Sequence, residues 1–172
     1  INFYGQSKFQ AENFVLKSRV PHAILRRAVV YGKARKMSRS NIILWVKSNL
    51  ENNKPIRVVD DQYRSPTLAE DLAEGCYLVA KQRSTGIYNI AGGEVLTPYQ
   101  MSLKVAKHFK LDKSLISRTD ASEFVQPAKR PLETGLVIDK AKYELGFQPH
   151  TFEQGIKIFA NQVDQEPCLS GE

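Results

Sequence analysis

The sequence predicts an α/β protein with parallel strands, because short apolar segments typical of strands alternate with amphipathic segments typical of helices. Its 172 residues include 42% hydrophobic and 25% charged residues, which is typical of a globular chain with a core of its own. No segment approaches the roughly 20 consecutive apolar residues that a membrane-spanning helix needs. We therefore expect a layered domain without a membrane partner.

The first third of the chain contains five predicted segments. Apolar residues at helical spacing predict a first helix, and Pro21 prevents its extension. β-branched and aliphatic residues ending at Gly32 predict one strand after it. In order, we predict a helix over 4–17, a strand over 22–32, a loop over 33–40, a helix over 41–53 with Ser40 as its N-cap, and a strand over 54–61.

The rest of the chain continues the alternation. Thr97 followed by Pro98 indicates a helix start, and Gly146 is typical of a helix end. Glu70 and Asp71 suit the first turn of a helix, because carboxylates interact favourably with its dipole there. We predict a helix from near Thr67 to 82, a strand over 86–93, helices over 97–109, 138–147 and 151–163, and an ambiguous segment over 114–124.

The charge of the chain points to an anionic partner. Its formal net charge is +7, from 25 basic and 18 acidic residues. The densest basic run, "GKARKMSR" over 32–39, lacks the interleaved aromatic residues that would stack on bases. This pattern favours a solvated loop or a phosphate-bearing small molecule, and we predict no nucleic-acid partner.

Cysteine and histidine positions indicate a chain without disulfides or metal. Cys76 lies in an apolar helical pattern and Cys168 in a polar tail, so we expect both to be reduced. The first residues do not resemble a signal peptide, and together these features favour the cytoplasm. The three histidines are scattered without ligand spacing, so no metal site is expected.

Tyr4 and Lys8 form the motif "YGQSK" on the first predicted helix. Residues four apart on a helix face the same way, with Cβ atoms roughly 5–6 Å apart. A nearby ammonium group favours the phenolate of a tyrosine, so such a pair can give a proton to a carbonyl oxygen as hydride reaches the carbonyl carbon. The same spacing also arises by chance, and Tyr4 would then be a half-buried aromatic and Lys8 a solvated charge.

Five blocks in order resemble the C-terminal part of the extended short-chain dehydrogenases, and most of all the dTDP-4-dehydrorhamnose reductase family. The blocks are "YGQSK" over 4–8, "LRRAVVYG" over 25–32, "DQYRSPT" over 61–67, "GIYNIAGG" over 86–93 and "RP" at 130–131. This resemblance covers nearly the whole chain. It implies the second half of a doubly wound, Rossmann-like parallel sheet plus a small α/β substrate-binding portion.

The resemblance also implies a division of the chain. Residues 1–60 would form the C-terminal part of the Rossmann-like domain, and residues 61–172 mainly the substrate-binding portion. The sequence has no glycine-rich phosphate loop of the G-x-G-x-x-G type. We therefore expect the N-terminal dinucleotide-binding half to be absent here, and these residues alone to be inactive.

Roles for individual residues follow from the same resemblance. It implies that Tyr4 is the general acid, and that Lys8 is its partner and a ligand of the cofactor ribose. The other implied contacts are Arg26, Arg27 and Ala28 for the cofactor, and Gln62, Arg64 and Arg130 for the substrate. Where the family often has Thr-Ser-Trp after the arginine, this chain has Arg27, Ala28 and Val29, so the identity of the sugar stays open.

The implied function is an NADP(H)- or NAD(H)-dependent reductase of a 4-keto nucleotide sugar. Nucleotide-sugar epimerases and dehydratases share the Tyr/Lys pair and are one alternative. The regulatory subunit of methionine adenosyltransferase resembles the same family and keeps a similar motif, so a non-catalytic regulatory role is another. A homodimer is compatible with the resemblance, which does not fix the oligomeric state.

Overall fold

The structure is a computed structural model that describes residues 2–33, 41–124, 128 and 130–164. Helices in these ranges are α1 (Phe3–Leu16), α2 (Ile42–Glu51), α3 (Ala69–Gln82), α4 (Pro98–His108), α5 (Asp139–Leu145) and α6 (Phe152–Asp164). The strands are β1 (Ala23–Arg26), β2 (Val30–Tyr31), β3 (Ile56–Val59), β4 (Tyr63–Arg64), β5 (Thr67–Leu68), β6 (Gly86–Asn89), β7 (Ile116–Thr119) and β8 (Glu133–Thr134). Short 3₁₀ turns cover Lys113–Leu115 and Ala121–Glu123.

The strands form four parallel pairs, which confirms the predicted α/β class. The pairs are β1 with β6, β2 with β5, β3 with β7, and β4 with β8. In the first pair Ala23 lies opposite Gly86, and Arg26 lies opposite Asn89. The carboxyl ends of β1 and β6 therefore meet at one edge, where open α/β sheets usually bind ligands.

The prediction of one strand over 22–32 is wrong, because the chain changes its pairing partner within that range. The carbonyl of Arg26 accepts a hydrogen bond from the Ile90 N–H at 2.8 Å, which continues the β1–β6 ladder. Three residues later the Val29 carbonyl accepts one from the Thr67 N–H at 2.8 Å, which starts the β2–β5 pair. Residues 27–29 thus cross between two ladders.

Helix ends that depend on local signals are mostly as predicted. Thr97 caps α4 in a capping box: its Oγ1 accepts from the Gln100 N–H at 3.2 Å, and the Gln100 Oε1 accepts from the Thr97 N–H at 3.0 Å. Gly146 ends α5 with a φ of 70°, as expected for a left-handed C-cap.

One predicted helix start is wrong. Asn41, not Ser40, caps α2, because the Asn41 Oδ1 accepts from the Leu44 N–H at 3.0 Å; Ser40 and most of the predicted basic loop lie outside the described residues. Helix α3 begins at Ala69, close to the start predicted near Thr67, and Thr67 itself belongs to strand β5. Glu70 and Asp71 do lie in the first turn of α3, as predicted.

The buried apolar residues form two clusters. The larger one joins α2, α4 and α6 with β2, β3, β5 and β7, and includes Ile43, Val105 and Phe159. The smaller one joins α3, α5 and β6, and Leu25 of β1 packs against it. Both clusters contact residues on either side of position 60, and a domain boundary there stays a prediction.

Helix α1 differs from the other helices because none of its residues is buried. Phe9, Phe14 and Val15 occupy the apolar positions that predict an amphipathic helix, yet Phe9 is 65% and Phe14 81% exposed. Trp45 of α2 is 40% exposed, whereas Phe159 of α6 is buried in the larger cluster.

Asp71 is a buried carboxylate whose partner lies far away in sequence. It is 5% exposed, and its Oδ2 accepts from the His150 N–H at 2.9 Å. Its Oδ1 lies 2.6 Å from the His150 Nδ1. Asp71 therefore ties the start of α3 to the segment that leads into α6, which supports a structural role over a catalytic one.

Replacing Asp71 by Ala should lower the free energy of unfolding by about 1–3 kcal/mol, because the His150 N–H loses its buried acceptor. Glu70→Ala is the matched control: it removes a first-turn carboxylate from the same helix, but the Glu70 bond to Gln162 is exposed. We expect a loss of less than about 1 kcal/mol for this control. Urea unfolding of both variants tests the difference, and equal losses would contradict the assignment.

Candidate active site and anion-binding cleft

Tyr4 and Lys8 lie on the side of α1 that faces β1. The Lys8 Nζ is 5.5 Å from the centre of the Tyr4 ring, and Tyr4 is 64% exposed. Asn2 fixes the start of the helix, because its Oδ1 accepts from the Gly5 N–H at 2.9 Å. Both side chains open into a cleft of about 480 Å³ lined by Tyr4, Lys8, Ala11, Glu12, Val15, Ile24, Leu25, Arg26 and Arg27.

Glu12 is a residue of this cleft that sequence reasoning missed. It lies one helical turn after Lys8, and both its carboxylate oxygens accept hydrogen bonds from the Arg26 guanidinium. The Arg26 Nε donates to Glu12 Oε2 at 3.2 Å, and its Nη2 donates to Oε1. The hydrogen bond to Glu12 raises the pKa of Arg26 above its ordinary value. The signal in the sequence was that Glu12 follows Lys8 by four residues, the same helical spacing that separates Lys8 from Tyr4.

Arg26, Arg27 and Ala28 stand at and just beyond the carboxyl end of β1. Arg27 is exposed and lines the same cleft, and its Nη1 donates to the Ala28 carbonyl at 3.3 Å. The structure thus places four of the five predicted catalytic and cofactor residues, namely Tyr4, Lys8, Arg26 and Arg27, along one cleft. Ala28 adjoins it in the chain.

Gln62 lines a second cleft, whereas Arg64 contacts Gln62 but is not among the residues that line that cleft. Gln62 is 4% exposed, and its Oε1 accepts from the Arg64 Nη2. The backbone of Arg64 is held from two sides: its N–H and carbonyl bond to Leu96 at 3.0 and 2.8 Å, and the β4–β8 pair places it opposite Thr134. These bonds fix the base of the Arg64 side chain.

The positive charge of Arg130 acts on the guanidinium group of Arg64. Burial lowers the pKa of the Arg64 guanidinium, and the positive charge of Arg130 lowers it further. Two neighbouring guanidinium groups favour an anionic ligand between or beside them. The predicted substrate residues Gln62, Arg64 and Arg130 are thus brought together as one group.

A cleft of about 400 Å³ lies over this group. Its lining includes Gln62, Arg130, Phe124 and Asp61, of which the last two were not predicted. The Asp61 carboxylate accepts from the Ala121 N–H at 3.2 Å, so it holds the cleft wall. No lining residue is shared with the Tyr4 cleft, so within the described residues the two predicted sites are separate.

The described part of the chain contains neither a cluster suited to a metal ion nor a helix suited to a membrane. Across residues 2–33, 41–124, 128 and 130–164, no group of three or more His, Cys, Asp or Glu side chains is placed to hold a metal ion. In the same ranges, none of the helices has both the length and the apolar character that crossing a bilayer requires.

Parallel strand pairs covered by helices, with a Tyr/Lys pair beside the carboxyl end of β1, define the class of this chain: it matches the second half of a Rossmann-like reductase fold. The sequence model of the family named RmlD substrate binding domain matches residues 1–165. The chain belongs to that family.

Solved structures show the same fold at low identity. The dTDP-4-dehydrorhamnose reductase of Bacillus anthracis, in complex with NADP, matches with a TM-score of 0.83 and 24% identity, over 94% of this chain and 56% of the reductase. The dTDP-glucose 4,6-dehydratase of the same organism, in complex with NAD, matches with a TM-score of 0.78 and 18% identity, over 96% and 53%.

One curated relative is named as a subunit of methionine adenosyltransferase and not as a nucleotide-sugar enzyme. Methionine adenosyltransferase 2 subunit beta of Xenopus tropicalis is 31% identical over 163 residues, which are 91% of this chain and 48% of that protein. The chain therefore spans about half the length of the curated relatives and solved structures that it matches.

Proposed function

We propose that this chain is the catalytic and substrate-binding half of a longer NAD(P)H-dependent reductase that acts on a 4-keto nucleotide sugar. The observation that carries the proposal is the common cleft of Tyr4, Lys8, Arg26 and Arg27 beside the carboxyl end of β1. Family membership and the fold shared with nucleotide-sugar enzymes support the substrate class.

The donors in the Tyr4 cleft fit a nicotinamide nucleotide, because a phenol, an ammonium and guanidinium groups suit ribose hydroxyls and phosphates. Such a cofactor, when bound, supplies the hydride. Lys8 would bind the ribose, and Arg27 and the backbone at Ala28 would border the cofactor. The phosphate-binding glycine loop would come from the rest of the longer protein.

Tyr4 would give its phenolic proton to the C4 carbonyl oxygen as that carbon is reduced, so a C–H and an O–H bond form and the ketone becomes an alcohol. The Lys8 ammonium would stabilise the phenolate that Tyr4 becomes. Gln62, Arg64 and Arg130 would hold the nucleotide diphosphate, since paired guanidinium groups suit phosphate oxygens.

The direct test is an assay of the longer protein with dTDP-4-keto and UDP-4-keto sugars, following oxidation of NADPH or NADH. Turnover that depends on both the sugar and the cofactor is expected. The similarity to methionine adenosyltransferase 2 subunit beta favours a second candidate, a non-catalytic regulatory subunit. Absent turnover together with tight, stoichiometric binding of a protein partner would favour that candidate.

Replacing Arg130 by Gln should weaken binding of dTDP to the longer protein by about 10-fold, because one charge-assisted contact to phosphate is lost. Arg83→Gln is the control: Arg83 lines a different cleft, at the amino ends of β1 and β6, and its loss should leave affinity unchanged. Calorimetric titration measures both dissociation constants. Equal affinities of the Arg130 variant and the wild type would exclude Arg130 as a diphosphate ligand.

A further inference from the structure

Helix α1 is packed less tightly against the rest of the described residues than strand β1 is. None of its residues is buried, whereas β1 is fixed by a four-residue parallel ladder with β6. The Glu12–Arg26 ion pair connects the two elements over 14 positions of sequence. Its bidentate geometry restrains both distance and orientation, because two parallel N–H···O bonds form between planar groups.

The Glu12 end of this pair is the more protected one. The Glu12 side chain is 16% exposed, against 50% for Arg26. Partial shielding from water strengthens a charge pair relative to one that is fully solvated. The pair is therefore able to set where α1 lies against the carboxyl end of β1.

Glu12 also has a second cation within reach. Lys8 precedes it by four residues, and side chains at that spacing are neighbours on a helix surface. The charged groups that line the cleft are Lys8, Glu12, Arg26 and Arg27. Because Arg26 bonds to both Glu12 oxygens, its positive charge offsets the carboxylate and weakens the attraction of Glu12 for the Lys8 ammonium on which Tyr4 depends.

The geometry points to Arg26 and Glu12 as positioning residues that hold α1 in register with β1 and keep Lys8 free to assist Tyr4. This inference rests on the proposed reductase function for its catalytic consequence, but not for its structural part. It gives Arg26 a role that acts through Glu12, in place of the direct cofactor contact that the family resemblance implies.

The test uses the longer protein with Glu12→Gln, Arg26→Gln and the double variant. We expect Arg26→Gln to lower kcat by about 100-fold, since it both loosens α1 and leaves an unpaired carboxylate beside Lys8. Glu12→Gln only loosens the helix and should lower kcat by about 10-fold. The double variant should match Glu12→Gln, so removing Glu12 partly rescues the loss of Arg26. Arg26→Lys should keep part of the activity, because it keeps the charge without the fork.

The affinity for NADPH separates this role from cofactor binding. Under the proposal, its dissociation constant should change by less than about 3-fold in all variants, because the effect falls on kcat. A large rise for Arg26→Gln, with no change in kcat or affinity for Glu12→Gln, would make Arg26 a cofactor ligand and overturn the proposal. A double variant slower than Arg26→Gln would also overturn it.

Hydrogen exchange provides a measurement that needs no activity. Amides of Phe3–Leu16 should exchange about 10-fold faster than in the wild type in either single variant, and by the same factor in the double variant, while β6 stays protected. If the wild type reduces no keto sugar, the reductase proposal fails and this pattern alone decides the positioning role. Unchanged exchange in α1 would overturn the positioning role even if the wild type is an active reductase.

Discussion

Replacing Tyr4 by Phe in the longer protein is expected to lower reduction of a 4-keto nucleotide sugar by about 10²–10⁴-fold, the range that general acid–base groups contribute. The ring and its place beside Lys8 remain, and only the proton donor is removed. The dissociation constant for NADPH should therefore stay close to that of the wild type. Steady-state rates and fluorescence titration with NADPH measure the two quantities.

Two comparisons make this result specific. Lys8→Met removes the cation that assists Tyr4 and a ribose contact, so both turnover and cofactor affinity should fall. Tyr143→Phe removes a hydroxyl from a tyrosine that is 92% exposed on α5, and should change neither quantity. If Tyr4→Phe keeps most of the measured reductase activity, Tyr4 is not the general acid.

Replacing Gly92 by Ala is expected to destabilise the fold by about 3 kcal/mol or more, at the upper end of overpacking costs. Gly92 is buried, and a Cβ there would overlap the backbone carbonyl oxygen of Pro66. Its N–H also donates to Thr67 Oγ1 at 3.2 Å, so the segment cannot move away without breaking that bond. A clash with backbone is more costly than one with the end of a flexible side chain.

Gly93→Ala is the matched control, because the two glycines are adjacent and neither requires a positive φ. At Gly93 an added Cβ would meet only Pro149 at 3.9 Å and Ile138 at 4.0 Å, which are ordinary contacts. We expect a change within about 1 kcal/mol for this variant. Urea unfolding of the two proteins tests the contrast, and similar midpoints would show that the Pro66 contact relaxes freely.

Features that depend on neighbouring residues could be predicted from the sequence. Thr97 and Gly146 mark helix ends through their own side chain or its absence, and both predictions are confirmed. The sequence could not show that the predicted strand over 22–32 is two strands, because the division depends on hydrogen bonds to Thr67 and Ile90. Local residues there are uniformly typical of a strand.

The candidate sites follow the same rule. Tyr4 and Lys8 share a helix face, so their proximity is a property of spacing alone. Glu12 and Arg26 come together only because α1 folds against β1, and Asp71 meets His150 across 79 positions. The grouping of Gln62, Arg64 and Arg130 was implied by resemblance to a family, because nothing in their spacing brings position 130 to position 62.

The doubly bonded backbone of Arg64 has a consequence for the thermodynamics of anion binding. Ordering one residue's backbone costs about 1–2 kcal/mol of conformational entropy. Because both backbone groups of Arg64 are already bonded to Leu96 and its strand is paired with β8, this cost is met when the chain folds and does not recur when a ligand arrives. An arginine on a free loop would lose the same entropy on every binding event, so Arg64 should contribute more affinity per contact than its exposed neighbour Arg130.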